Sequence, residues 1–257
     1  IKGIVSVIFA SAWLCSCDLL DLTPKAAVTV KTYFKNESEL ELYANRFYYD
    51  ILPGGSGIYK EIGDNMIWIP LASEVSLTRT VPEKGGGWSF EALRHINFLL
   101  ENIGNCPDAA AVRKYTGVAK FFRAHYYFNM VKRFGDVPWL DHVPGTDDPD
   151  LYKARDSRDV VMGKVIEDID EAIRLFKKEN STKDLYHVTW WTAMALKSRI
   201  CLFEGTFRKY HGLGDSEKWL RLCVESSETL MNATRGYSLY TSGTQPYRDL
   251  FTSDNAK

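Results

Sequence analysis

Tyr59, Asp64, Asn65, Trp68, Arg79 and Trp88 fall in or beside one stretch, residues 53–87, that opens on Pro53-Gly54-Gly55 and closes on EKGGG. Their chemistry is that of carbohydrate recognition. Indole and phenol rings offer flat apolar surfaces to the C–H faces of sugar rings, while amide and guanidinium groups reach the hydroxyls. Trp68, in DNMIWIP, is the leading stacking candidate, with Asn65 and Arg79 as hydroxyl partners and Tyr59 beside them. Met66, Ile67 and Ile69 surround Trp68, so a core position is equally open to it. Trp88 begins a helix and reads as packing ahead of binding. The stretch itself has no sustained hydrophobic period, and long segments of that kind in compact domains are functional or disordered.

Groups that would run a reaction are not gathered. Five histidines, at 95, 125, 142, 187 and 211, are scattered without HExxH; there is no Gly-x-Ser-x-Gly, and KGGGW lacks the Lys-Ser/Thr of a phosphate loop. His125 lies inside an aromatic helix and reads as a packed core residue. GTDDPD groups Asp147, Asp148 and Asp150 but lacks the alternating ligands and closing Glu of a calcium loop, so it reads as a solvated turn. EDIDEA sets Glu167, Asp170 and Glu171 at helical spacing from Lys164 and Arg174, which surface ion pairs explain. In HVTWWTAM, Trp190 and Trp191 point about 100° apart on a helix, so at most one is expected to be fully buried. The expectation is a binding protein without metal or cofactor, not an enzyme.

The N-terminus carries its own signal. Lys2 precedes an uncharged apolar run from Ile4 to Leu14, too short for a bilayer span of about 20 residues and laid out like a secretory signal. Leu14-Cys15-Ser16-Cys17 has the form of a bacterial lipobox. Residues 1–16 then form a lipoprotein signal peptide, and Cys17 receives the acyl chains. Residues 17–36 form a tether, and residues 37–257 an α-helical domain. Two or more acyl chains hold a protein firmly to a membrane where one does so only marginally. Asp18 and Asp21 resemble the export signal that sends some lipoproteins to the outer face of the outer membrane. The sequence lacks an initiator Met, and YRDLFTSDNAK is not an evident domain end, so it reads as the N-terminal part of something longer.

A net charge of −1 gives no reason to expect nucleic acid or an anionic membrane surface as partner. Cys106, Cys201 and Cys223 have no metal spacing and read as buried thiols without a disulfide.

What must position the candidate residues is a series of helices. Leu40, Tyr43, Ala44, Phe47 and Ile51 recur at helical spacing, with Asn36 or Ser38 as cap. Leu93, Ile96, Leu99, Leu100 and Ile103 mark a second helix, with Ser89 as cap. A third of about 25 residues ends at Gly135. DVPWLDHVPGTDDPD reads as a connection crossing the surface. Asp156 or Ser157 caps a fourth helix, Thr189 a fifth, and a sixth runs from Ser216 to about Met231. The pattern is all-α, with the last four helices forming two antiparallel pairs of the tetratricopeptide type.

LDLTPK, RHINFLLENI, GVAKFFRAHYYFNMVKRFGDVPW, KARDSRDVVMGKVIEDIDEAI and VTWWTAMALKSRICLFEGTFRKYH resemble successive blocks of the SusD/RagB-type outer-membrane lipoproteins, in order, from Leu14 to at least His211. The resemblance implies an α-rich, tetratricopeptide-like fold with long binding loops. It also implies a lipid anchor at the cell surface, and capture of oligosaccharides, or in some branches peptides, for a SusC-like TonB-dependent transporter. Members are about twice this length, so a C-terminal half is expected beyond residue 257. The alternative is a lipid-anchored helical-repeat adaptor whose partners are proteins or peptides only; a lipoprotein glycosidase is a distant third.

Overall fold

Local capping chemistry sets the helix boundaries in the computed structural model, which describes residues 33–53, 69–73, 75–176, 186–233 and 239–252. The signal, Cys17 and most of the tether lie outside the described residues. Helix α1, Glu37–Ile51, starts where the Asn36 side chain accepts the Glu39 N–H. Helix α2 is Glu91–Asn102, and α3, Ala109–Phe134, is capped by Asp108 and closed by Gly135 in the left-handed region. Helix α4, Arg158–Leu175, begins at Ser157. Helix α5, Trp190–Tyr210, begins with a capping box between Thr189 and Thr192. Helix α6, Ser216–Met231, and the short α7, Pro246–Phe251, follow. Among the described residues there is no β-strand, and the fold is all-α, as the spacing predicts.

Side-chain partners give the helix directions. Lys120 and Arg123 of α3 meet Asp168 of α4, and Gly117 lies against Phe176, so α3 and α4 run antiparallel. Arg158 with Glu204 and Asp170 with Lys197 set α5 antiparallel to α4. Ser198 with Ser227 and Gly205 with Leu220 set α6 antiparallel to α5. Each helix therefore lies against the next, the arrangement of a helical repeat. Helix α3 carries buried side chains all round, including Tyr115, Val118, Phe122, Tyr127 and Val131, because α1, α2 and α4 all pack on it.

Three details depart from the sequence reading. Trp190 and Trp191 are both buried, their rings edge-to-face at 4.9 Å. Both indoles belong to one cluster with Met194 and Ala233, against which Ile173 and Leu230 also pack. The connection after α3 is not wholly on the surface, since Val137, Pro138 and Trp139 are buried. Trp139 stacks on Tyr127 at 4.3 Å, and its neighbours' backbone groups find partners inside the protein. The Tyr127 hydroxyl accepts the Leu140 N–H, and the Asn97 amide donates to the Leu140 and His142 carbonyls. Burial of that backbone is affordable only because of these bonds. Ser89 is not at the N-cap position of α2, which Phe90 occupies, although the Ser89 hydroxyl accepts the Glu91 N–H at 3.5 Å. The Ser89 carbonyl also accepts the Tyr126 hydroxyl at 2.6 Å.

The α5–α6 contact is close enough to forbid a side chain. A Cβ on Gly205 would lie 2.8 Å from Leu220 Cδ2 and 3.0 Å from its backbone nitrogen, whereas one on Gly163, within α4, would meet nothing within 4 Å. The same substitution is therefore expected to act with opposite signs. Gly205→Ala should destabilise by about 1–2 kcal/mol, overpacking outweighing the gain in helix propensity. Gly163→Ala should stabilise by about 0.5–1 kcal/mol. Urea titration of both variants checks this, and equal shifts would contradict the close approach.

Candidate functional site

Of the residues singled out for recognition, Tyr59, Asp64, Asn65 and Trp68 lie outside the described residues, while Arg79 and Trp88 lie within them. Arg79 closes a tight hydrogen-bonded loop. Its N–H and that of Thr78 both donate to the Ser73 carbonyl, and the Ser76 and Thr78 hydroxyls meet at 2.7 Å. The loop presents Arg79 at an exposed position. The same segment carries exposed apolar side chains, among them Ile69 (96%), Leu77 (91%) and Val81 (91%).

Trp88 is half-buried and held by its neighbours. Phe134 and Phe90 meet it edge-to-face at 4.9 and 5.4 Å, and the Arg155 guanidinium lies 4.8 Å from its ring centroid. Just before it, Gly87 has φ 90° and faces the Arg133 side chain, 3.2 Å from where a Cβ would stand. The indole ties the entry of α2 to the end of α3 and to the connection before α4. Arg155 and Arg133 were not legible as partners, because nothing in sequence spacing joins residues 87 and 88 to 133 and 155.

The second polar grouping is the turn at residues 141–150. His142 Nε2 lies 2.9 Å from Asp148 Oδ2 and 3.8 Å from Asp150 Oδ2, while Nδ1 is 3.5 Å from Asp141 Oδ1. The Asp148 hydrogen bond, opposed by slight burial and assisted by Asp141, holds the His142 pKa above its ordinary value. His142, Asp148 and Asp150 are the one group with metal-ligand spacing among the described residues. Asp148 already accepts the Asp150 N–H, capping the 3-10 turn Pro149–Tyr152, so ion pairing and capping account for the arrangement. Asp147 is exposed, as a solvated turn requires.

The titratable groups inside the bundle serve packing and pairing. His125 stacks on Phe121 and bonds Asn129; burial, with Lys132 and Arg199 nearby, lowers its pKa to about 4. Burial pushes the Cys201 thiol up to about 12, and Cys106, Cys201 and Cys223 are all free. Asp168 and Glu204 are each enclosed by cations, which leaves neither as a base open to a ligand. No described helix is long and apolar enough to cross a membrane.

Residues 88–202 match a family model described as SusD-like, starch-binding and associating with the outer membrane. No curated relative matches the sequence. Among solved structures, a SusD-like protein of Bacteroides fragilis superposes with TM-score 0.61 at 20% identity, over 85% of this chain and 42% of that one. A SusD-like carbohydrate-binding protein of the same species gives 0.57 at 15% identity, over 85% and 44%. A SusD homologue of Bacteroides thetaiotaomicron gives 0.59 at 17% identity, over 82% and 43%. The chain thus spans less than half the length of these structures. Residues 88–202 match the SusD-like family's sequence pattern, and the helical architecture of the chain is similar to that of the SusD-like structures.

Proposed function

We propose that the chain is the N-terminal, helical part of an outer-membrane lipoprotein that captures nutrient oligosaccharides and passes them to a TonB-dependent, SusC-like transporter. The observation that carries this reading is the match of residues 88–202 to a starch-binding, outer-membrane-associated family. A structural relative described as carbohydrate-binding supports it. In this reading Trp68 stacks on a sugar ring, with Asn65, Arg79 and Tyr59 addressing hydroxyls. Trp88 holds the base of the segment in place. Acyl chains on Cys17 keep the protein at the cell surface, and the protein binds its ligand without transforming it.

Calorimetric titration of the chain with neutral oligosaccharides tests the capture step. At least one glycan is expected to bind, and Trp68→Ala should lower its affinity about tenfold without changing the melting temperature. Trp88→Ala, by contrast, should lower the melting temperature, since it removes a packed ring. Flat titrations across a broad panel would remove the capture reading. Labelled palmitate incorporated in the wild type but not in Cys17→Ser tests the anchor, and equal labelling would remove it.

A further inference from the structure

Cations along the α3–α4–α5 contacts have their carboxylates. Lys120 and Arg123 share Asp168, Arg158 and Arg208 share Glu204, and Lys197 meets Asp170. Lys132 of α3 and Arg199 of α5 differ. Among the described residues neither has an ion pair or a hydrogen bond, although the chain carries 33 acidic residues to 32 basic ones.

The two cations stand together. Phe121, His125, Phe128 and Lys132 form one stripe of α3, and it faces α5, since Phe128 meets Phe203 edge-to-face at 5.5 Å. The Lys132 ammonium lies 4.5 Å from the Phe128 ring centroid, which puts it over the seam between the helices. Arg199 is one turn before Phe203. Burial, and after it the nearby Arg199 guanidinium, lowers the Lys132 pKa, and both cations act in the same sense on His125. No carboxylate among the described residues acts on Lys132 or His125. Like charges so placed repel one another, and the positive potential they share favours an anion.

The surroundings give the shape of that anion. Thr192, Ala195, Arg199 and Leu202 are exposed along one face of α5. On α3, exposed Lys132 and half-buried Asn129 stand opposite, with the Asn129 amide 3.2 Å from His125 Nδ1. From Thr192 to Leu202 the strip is about 15 Å long, roughly the span of four or five residues of extended chain. Ala195 and Leu202, the latter 50% exposed, flank Arg199 with apolar surface. Small-molecule sites are concave and enclose their ligand, whereas here Phe128 and Phe203 fill the seam beneath the cations. An open strip on stacked helices, with charged and apolar groups along it, suits a chain that gains affinity from several contacts in a row.

We propose that the seam between α3 and α5 docks an acidic, extended peptide segment of a protein partner, whose carboxylates meet Lys132 and Arg199. The guanidinium fork takes one carboxylate bidentately, and the ammonium takes another. None of these residues belongs to the glycan-capture reading, so either can fail while the other stands.

Titration of the chain with hexaglutamate, followed by the imidazole resonances of His125, tests this. Saturable shifts are expected, with none from hexaglutamine, and added salt should weaken the binding. Arg199→Glu and Lys132→Glu should each weaken hexaglutamate at least about tenfold. Neither variant should melt below wild type, because each replaces a repulsion with an attraction. Absence of shifts with hexaglutamate, equal shifts with hexaglutamine, or undiminished binding in Arg199→Glu overturns the proposal. Inorganic phosphate bound as tightly as hexaglutamate also overturns it, since a bare anion would then suffice. So does a lowered melting temperature of Arg199→Glu, which would mean that the guanidinium already has a partner within the protein.

Discussion

Glu204→Ala is expected to cost about 3–5 kcal/mol of folding stability, the largest loss from any single truncation considered. Glu204 is 0% exposed and sits between two arginines. Arg158 Nη2 meets Oε2 at 2.6 Å, and Arg208 Nε meets Oε1 at 2.8 Å. Both guanidinium groups are committed elsewhere as well. Arg158 lies 3.7 Å from the Phe207 ring centroid, and Arg208 reaches Asp159 and lies over Trp219. Neither can turn out to water without giving up its packing. Removing the carboxylate strands the desolvated Arg158 charge and leaves Arg208 to Asp159 and the Gly214 carbonyl alone, which costs more than the pairs contribute when intact. The mechanism has a second consequence. Replacing all three residues together with apolar side chains of similar volume should restore most of the loss, because the one charge then left without its partner, Asp159, is exposed to solvent. Chemical denaturation of the single and triple variants checks both statements. A single-variant loss below about 1 kcal/mol would mean that water reaches the arginines.

Lowering the pH from 7 to 4 is expected to remove about 3 kcal/mol of stability through His125 alone. Its pKa is lowered to about 4, burial being the main cause and Lys132 and Arg199 lesser ones. The unfolded chain would protonate the same imidazole near 6.5. Above 6.5 both states are neutral and the residue contributes nothing pH-dependent. Below 6.5 the unfolded state takes up the proton first, so stability falls as pH falls and the loss is complete near pH 4. His125→Gln abolishes this titration. The difference between wild type and variant should therefore open over the same interval, and the imidazole resonances of the wild type should still report a neutral ring at pH 5. A midpoint above 6 would contradict the packing of His125 against Phe121.

What the sequence made legible was what is local. Asn36, Ser157 and Thr189 cap helices because a side-chain oxygen needs only the N–H two or three residues on, and Gly135 ends α3 because only the next turn of chain is involved. Asp168 was not legible. In EDIDEA it is one acid among four, and its partners, Lys120 and Arg123, are 48 and 45 residues away. Glu204 likewise looks like a surface acid within RICLFEG until Arg158, 46 residues earlier, is placed beside it. Trp190 and Trp191 misled for a related reason: a single helix has one inside face, but α5 lies between two neighbours. For the candidate site, the sequence marked a segment, and of its residues the structure describes Arg79 and Trp88. Trp88 was read as packing and packs.

The bonds between α2 and the connection that follows α3 have a mechanical meaning. Asn97 holds the carbonyls of residues 140 and 142, Glu101 the N–H of Val143, and Arg94 the carbonyl of Pro144. Four stitches over five residues tie the strap to the helix along its length, as far as Pro144. Since α2 follows closely on the segment that ends at Trp88, a displacement of that segment is expected to be felt at the strap.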